Sequence, residues 1–489
     1  MSSQLGLRHH AMMLAIAGVV EWGLQILLPV FLVRVLTGDE FGDYRLVWLI
    51  AMTGQAVFTF FMPQSLFYLL PRADVSEQRR IIGNTTIFLI FAGVVAGGLL
   101  VLAMPYLSPA VQGLQRYSMA APIFLSLWIA ASLCDTLPTA DGRAELQAIA
   151  TVVLAVVRAL LLGLVAIVTR DISTILWAMC FFVLIKLGVT QLYVYWVKGF
   201  RSLSADTVLL NAQISYAFPF AIANGFFLLK LQADQWVVAS SFPPAVFALI
   251  SIATVALSIS TIIRNPVNNA LLPKFNLLFR DGDMVQARVL LAKSYAGVAF
   301  VLVPTLGLFF VAATEIVELV YTSLYFGAAP IMQIYLAGQV TGVFAAGHLL
   351  ASVNLGKQSA IASSAALALS VVLSVLGVKL FGVNGAAAGS VVSLFVTEIW
   401  ALVVVARTLG TSPFKIIHWD FSGKVVAVVL VAVAVVLLAK EMRLGSMNTV
   451  VRLVAESFLY MVSVIVGMVM IGIHRHGLSI ARDLLRRRN

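Results

Sequence analysis

The chain carries more apolar length than a water-soluble fold could hide. About fourteen stretches are long and apolar enough for a helix to cross ~30 Å of hydrocarbon, which takes about 20 residues. They lie at 10–34, 43–70, 81–104, 117–137, 146–168, 173–198, 212–239, 244–272, 288–312, 328–352, 358–380, 384–407, 421–440 and 450–473. Only 11% of the residues are charged and 61% are hydrophobic, where a soluble domain has about 25% charged residues. The sequence therefore predicts an all-α polytopic membrane protein. The first residues, MSSQLGLRHHAMMLAIAG, run into an apolar segment without a small-residue cleavage pattern, so a first span is expected there and not a signal peptide.

The formal net charge of +11 is read as topology and not as affinity for nucleic acid, because Lys and Arg collect in cytoplasmic loops. With both termini inside, the inner segments hold 19 Lys and Arg residues against 8 outside. The inner set includes Arg72, Arg79, Arg80, Lys198, Arg201, Lys274 and Arg280, and the tail Arg482–Asn489 should meet anionic lipid headgroups. All loops are short, so no separate soluble domain is expected. Cys134 and Cys180 sit in apolar surroundings, where a disulfide or a metal site is not expected. No phosphate-binding glycine loop, zinc-like cluster or nucleophile elbow is present in the sequence, so no enzyme activity, cofactor or metal is expected.

The most informative stretch runs from Asn211 to Lys274. Two apolar segments flank a turn at Ser240–Pro244 and contain Lys230, Asp234 and Arg264. Ionisable groups at membrane depth are costly and usually face a bundle interior or a watery cavity. Lys230 and Asp234 are four apart, which on one helix puts them on one face. Arg264 precedes Pro266, which should kink or weaken its helix. Leu271-Leu272-Pro273-Lys274 repeats the earlier Leu69-Leu70-Pro71-Arg72. The repeat predicts two related halves: spans 1–6 over 1–200, spans 7–12 over 201–412, and spans 13 and 14 with the basic tail over 413–489. The linker between halves is expected near Val197–Leu210. Halves related by duplication around a charged seam are a transporter plan.

Arg34-Val-Leu-Thr-Gly-Asp-Glu-Phe-Gly-Asp-Tyr44 resembles the first-loop signature of bacterial polysaccharide-export flippases. Asp234-Gln235-Trp236-Val237-Val238, Phe247-Ala248 and Leu272-Pro273-Lys274-Phe275 look like that family's seventh and eighth helices. In that family the second copy of the turn usually has a glycine before its aromatic; Pro243-Pro244-Ala245-Val246-Phe247 does not. The resemblance places the chain in the superfamily that also holds multidrug antiporters and flippases of peptidoglycan precursors. It implies two six-helix lobes, alternating access, and a polyprenyl-pyrophosphate-linked oligosaccharide moved between leaflets of the bacterial inner membrane. The partners it implies are the glycan lipid, membrane lipids and other polysaccharide-assembly proteins.

The candidate cavity cations are Arg264, Lys230, Arg158 and Lys186, since Arg offers a planar fork to phosphate and Lys a point charge. Glu21, Asp234 and Glu398 are candidates for ion coupling. Each of these also has a plainer reading as an internal pair, and His348 reads as a core histidine. Arg452 and Glu456 read as a surface pair, and Gly382-Val-Asn-Gly-Ala-Ala-Ala-Gly-Ser390 as a close helix contact. A drug antiporter on the same fold would want an acidic cavity. A glycan polymerase or ligase would want a large outer loop, whereas the longest here, 313–327, carries only Glu315 and Glu318.

Overall fold

In this computed structural model, residues 2–117, 119–199, 204–344, 346–347, 349, 356–442 and 448–473 are described. His348, Arg201, Arg475 and the tail 482–489 lie outside them. No strand occurs among the described residues. Two compact units form, Met1–Ala248 and Leu249–Asn489.

The first unit contains α1 (Ser2–Leu32), α2 (Gly38–Phe58), α3 (Met62–Leu69), α4 (Val75–Ala103), α5 (Pro109–Gly113), α6 (Ala120–Ala130), α7 (Leu137–Ala140), α8 (Ala144–Thr169), α9 (Ile172–Leu192), α10 (Thr207–Lys230) and α11 (Ala233–Ser241). Helix α12 (Pro244–Ala253) crosses into the second unit. There follow α13 (Leu257–Arg280), α14 (Met284–Val311), α15 (Ala313–Tyr321), α16 (Ala328–Gly338), α17 (Gly356–Thr408), α18 (Pro413–Ile416), α19 (Trp419–Met442) and α20 (Thr449–Met470).

Eleven described helices are long and apolar enough to cross a membrane, and the pair α2–α3, bent by 47°, makes a twelfth span. The apolar part of α17, Ile361–Thr408, has 48 residues. At 1.5 Å per residue that is about 72 Å, more than twice the hydrocarbon. Gly382, at φ 62°, turns it into a hairpin. A side chain at Gly377 would meet the Gly385 backbone, and one at Gly389 would meet Leu373. Ser374 Oγ donates to the Ala386 carbonyl and Ser393 Oγ to that of Ala366, both at 3.0 Å. The small-residue run is thus the close contact expected of it. Helix α16, extended by a tight turn at Gln339–Val343, opens the remaining span. The count comes to about fourteen.

Large apolar side chains are exposed as well as buried. Phe91, Leu102, Leu380 and Phe381 are exposed, while Ser65, Thr85, Ser294, Ser374 and Ser393 are fully buried. Lipid tails are as apolar as leucine, so apolar burial does not drive helices together there. Close packing and internal hydrogen bonds do. Polar residues also set the helix starts. Asp74, Asp171, Asp206, Asp283 and Asn448 accept backbone N–H bonds at the N-termini of α4, α9, α10, α14 and α20.

Three expectations about helix continuity change. The second span breaks at Phe60 and Phe61, both in the left-handed region at φ 52° and 59°. The seventh breaks at Leu231–Gln232, so Lys230 ends α10 and Asp234 lies in the first turn of α11. These two therefore straddle a turn and do not share the face of one continuous helix. Conversely, α13 runs unbroken through Pro266 and Pro273. Helix α10 lies against α2, α3 and α4 in the first unit. Its start is clasped to α4: Arg80 Nη1 is 3.0 Å from Asp206 Oδ2, and Asn84 bonds both the N–H and the carbonyl of Asp206. The Leu209 N–H, and after it Arg80, hold the Asp206 carboxyl below its ordinary range. Before the linker, Lys198 bonds Asp141 and Gln78.

The first-loop motif is consumed by structure. Thr37 and Glu40 form a capping box on α2, satisfying two N–H groups that a helix start leaves bare. Phe41 and Tyr44 are buried. Asp43, also buried, accepts from Arg116 and from the Tyr117 hydroxyl. Asp39 accepts the Ala245 N–H at 3.1 Å. A Cβ on Gly42 would lie 2.0 Å from the Pro244 carbonyl oxygen. Here the first turn needs glycine because the backbone of the second turn presses on it. Gly42→Ala should cost about 1–3 kcal/mol, the usual range for overpacking. A thermal midpoint in detergent equal to that of the parent chain would refute the contact.

Candidate functional site

Four charged side chains from four elements of the first unit meet in one pocket. Glu21 comes from α1, Asp135 from the turn after α6, Arg158 from α8 and Lys186 from α9. Trp128, Cys134, Gln147, Thr151, Leu154 and Phe182 complete much of the lining. The empty volume among them is about 390 Å³, its open mouth included.

The two cations stand differently. Lys186 is only 5% exposed, and its Nζ lies 2.7 Å from Asp135 Oδ2 and 4.6 Å from the Trp128 ring centre. Arg158 is 8% exposed. Among the described residues no side chain or carbonyl hydrogen-bonds its guanidinium. Its contact is with the Trp48 ring, 5.7 Å from Cζ to the centroid. A cation over an aromatic face gains about 0.5–2 kcal/mol, which leaves its N–H donors unused. The wall is rigid: Trp48 and Trp128 meet edge to face at 5.0 Å, and Trp128 Nε1 donates to Gln55 Oε1 at 2.8 Å. Gln25 holds Glu21 at 3.1 Å. Gln147 Oε1 is buried without a hydrogen-bond partner among the described residues. A pocket with an arginine whose fork is unspent suits a multivalent oxyanion.

Three of the seven candidate residues, Glu21, Arg158 and Lys186, therefore come together. Lys230 and Asp234 are buried elsewhere in the first unit, on either side of the α10–α11 break. Arg264 and Glu398 belong to the second unit, where both bond backbone groups between Val343 and Gly347. Arg264 is 3% exposed; its Nη1 donates to the Val343 carbonyl and its Nε to Asn268 Oδ1, each at 2.9 Å. Glu398 Oε2 accepts the N–H groups of Ala346 at 2.9 Å and Gly347 at 3.3 Å. Arg264 Nη2 makes no hydrogen bond among the described residues, and its Cζ lies 5.4 Å from the Tyr295 ring centre.

Sequence reasoning missed Asp135, which closes a span just before Pro138. Its signal was an acid at the end of an apolar run, facing no basic residue nearby in sequence. The surface pair Arg452–Glu456 is corrected. Glu456 is fully buried and pairs with Lys440, while Arg452 reaches Glu315 and Glu318. The stretch 313–327, taken as an outer loop, is helical over Ala313–Tyr321. Glu315 and Glu318, three apart, could have signalled a shared helix face.

Lys186 supplies a direct check on the pocket. Asp135→Asn should strand a buried cation and cost about 1–3 kcal/mol, discounted because the Asp135 side chain is 51% exposed. Lys186→Met added to that variant should restore the thermal midpoint. Additive losses would show that the two side chains do not depend on each other.

The fold is shared with solved transporters. Lipid II flippase MurJ, in an inward closed conformation, superposes with a TM-score of 0.71 at 11% identity, covering 94% of this chain and 99% of that one. An inward-facing multidrug resistance MATE family transporter of the MOP superfamily gives 0.60 at 13% identity, over 80% and 96%. A MOP superfamily transporter from Pyrococcus furiosus gives 0.54 at 12%, over 82% and 95%. No curated protein matches the chain by sequence. The family described as polysaccharide biosynthesis protein matches residues 31–330, more than half of the sequence, and the chain belongs to that family.

Proposed function

We propose that this protein is a flippase. Its cargo would be a polyprenyl-pyrophosphate-linked oligosaccharide, the repeat unit of an O-antigen of lipopolysaccharide, a capsule or an exopolysaccharide. It would move the cargo from the inner to the outer leaflet of the bacterial inner membrane by alternating access, with both termini cytoplasmic. The lobes would be spans 1–6 and 7–12, related by a two-fold axis along the membrane normal, with spans 13 and 14 outside them.

The observation that carries this reading is Arg158, buried in a pocket with its hydrogen-bond donors unspent. A bare guanidinium in a membrane interior costs at least ~2.5 kcal/mol even on insertion scales, so its retention calls for a use. A lipid pyrophosphate offers concentrated charge that matches the guanidinium fork. Membership of a polysaccharide family and the fold of a lipid II flippase point to the same class of cargo. Lys186 adds charge beside it. Arg264 and Lys230 would serve the same anion at other stages of transport. Glu21, Asp234 and Glu398 would serve a coupling ion.

A second reading, a cation-coupled exporter of drugs, is favoured by Glu21 and Asp135 in the same pocket and by the likeness to MATE transporters. Glycan display separates the two. In cells lacking their own flippase, the parent chain should restore surface glycan. Arg158→Lys should keep part of it, and Arg158→Ala should lose most, about tenfold or more, at equal membrane levels. Full display by Arg158→Ala would overturn the role of this residue. Drug efflux without any glycan rescue would overturn the flippase reading itself.

A further inference from the structure

A second buried charge cluster, unrelated to the pocket, lies where α19 and α20 connect. Glu315 and Glu318 come from α15, Lys440 from the end of α19, and Arg452 and Glu456 from α20. Lys440 Nζ is 2.7 Å from Glu315 Oε1 and 3.3 Å from Glu456 Oε1. Arg452 Nε is 2.8 Å from the same Glu315 Oε1, and its Nη2 is 3.1 Å from Glu318 Oε2. Glu315 and Glu456 are both 0% exposed. Glu315 Oε2 and both oxygens of Glu456 make no hydrogen bond among the described residues.

Among the described residues, three carboxylates thus face two cations. Both cations converge on one oxygen, Glu315 Oε1, and Glu456 has only the longer 3.3 Å pairing with Lys440. Burying an ion costs several kcal/mol unless partners repay it. A metal ion would have to sit beside Lys440 and Arg452, whose charge repels it. A proton fits without that conflict: it gives a buried carboxyl an O–H to donate. The two carboxyls meet on one ammonium, their Oε1 atoms 2.7 and 3.3 Å from Lys440 Nζ, and neighbouring buried carboxyls do not readily both stay ionised. Other titratable groups lie on the elements packed here, Tyr325 and Tyr335 on the turn and helix after α15 among them. Arg288, Lys293 and Tyr295 lie in the first half of α14, Asp420 and Lys424 at the far end of α19, and Tyr321 at the end of α15. Glu441 is exposed, and the Tyr460 hydroxyl donates to the Pro304 carbonyl at 2.8 Å.

We propose that Glu456, buried beside Glu315, holds a proton, making the last two helices the seat of a proton-binding site. The site fastens α19 and α20 to α15, and it stands whatever the cargo is. Infrared spectroscopy of the purified full-length protein in lipid nanodiscs tests it. At neutral pH the parent should show the C=O stretch of a buried protonated carboxyl that is missing from Glu456→Gln and retained by Glu318→Gln. Identical spectra for the parent and Glu456→Gln would overturn the proposal. So would a parent spectrum in which that band changes when sodium replaces a large organic cation, which would indicate a metal site instead. If Glu456→Gln does not accumulate, Glu456→Asp keeps the acid one methylene shorter. Its band should shift in position, and an unshifted band would count against the proposal.

Discussion

Hydrocarbon offers no hydrogen bonds, so each polar group inside the bundle must find its partner in the protein. That constraint explains both where the polar residues sit and what they do. Ser374 and Ser393 tie the two arms of the α17 hairpin. Gln213 Nε2 bonds Ser65 and Thr85, joining α10 to α3 and α4. Trp236 Nε1 donates to Thr53 Oγ1, joining α11 to α2. In water such bonds would be worth about 1 kcal/mol each. In lipid, where apolar contact confers little, they and the close glycine contacts decide which helices neighbour which.

The same constraint separates charges that hold the fold from charges free to act. Arg264 spends two of its nitrogens on Asn268 and the Val343 carbonyl, and Glu398 spends its carboxylate on the N–H groups of Ala346 and Gly347. Between them they satisfy backbone groups at Val343, Ala346 and Gly347. Asp43 is likewise occupied by Arg116 and Tyr117. Arg158 differs in kind, since an aromatic face is its principal contact. Mid-membrane position alone, the criterion available from sequence, ranks Arg264 and Arg158 together. Hydrogen-bond accounting tells them apart.

Span number, helical class and the small-residue contact were legible because each rests on local properties: apolar length, the absence of charge, and side-chain size. The breaks at Phe60–Phe61 and Leu231–Gln232 were not. Nothing in phenylalanine favours a left-handed backbone, so tertiary contacts must impose it; Phe61 stacks on Phe220 and Phe60 packs on Phe88 and Phe218. The pocket was half legible. Glu21, Arg158 and Lys186 were visible as charges in apolar runs, but their meeting depends on α1, α8 and α9 packing side by side. Asp135 was hidden because it lies at a span's edge, where an acid ordinarily faces water.

The first-loop motif shows how a family resemblance and a function can be carried by different residues. Its glycine, acids and aromatics cap α2, seat Pro244 and anchor Tyr117. They therefore report the fold, and a carrier of any cargo built on this frame would need them. What distinguishes one cargo from another must lie among residues the frame does not consume. On the proposed function, those in the first unit would be the side chains around Arg158, where a guanidinium without a hydrogen-bond partner, an unsatisfied Gln147 oxygen and a pair of tryptophans share one wall. On that reading, selectivity would follow from pocket chemistry and not from the motif that identifies the family.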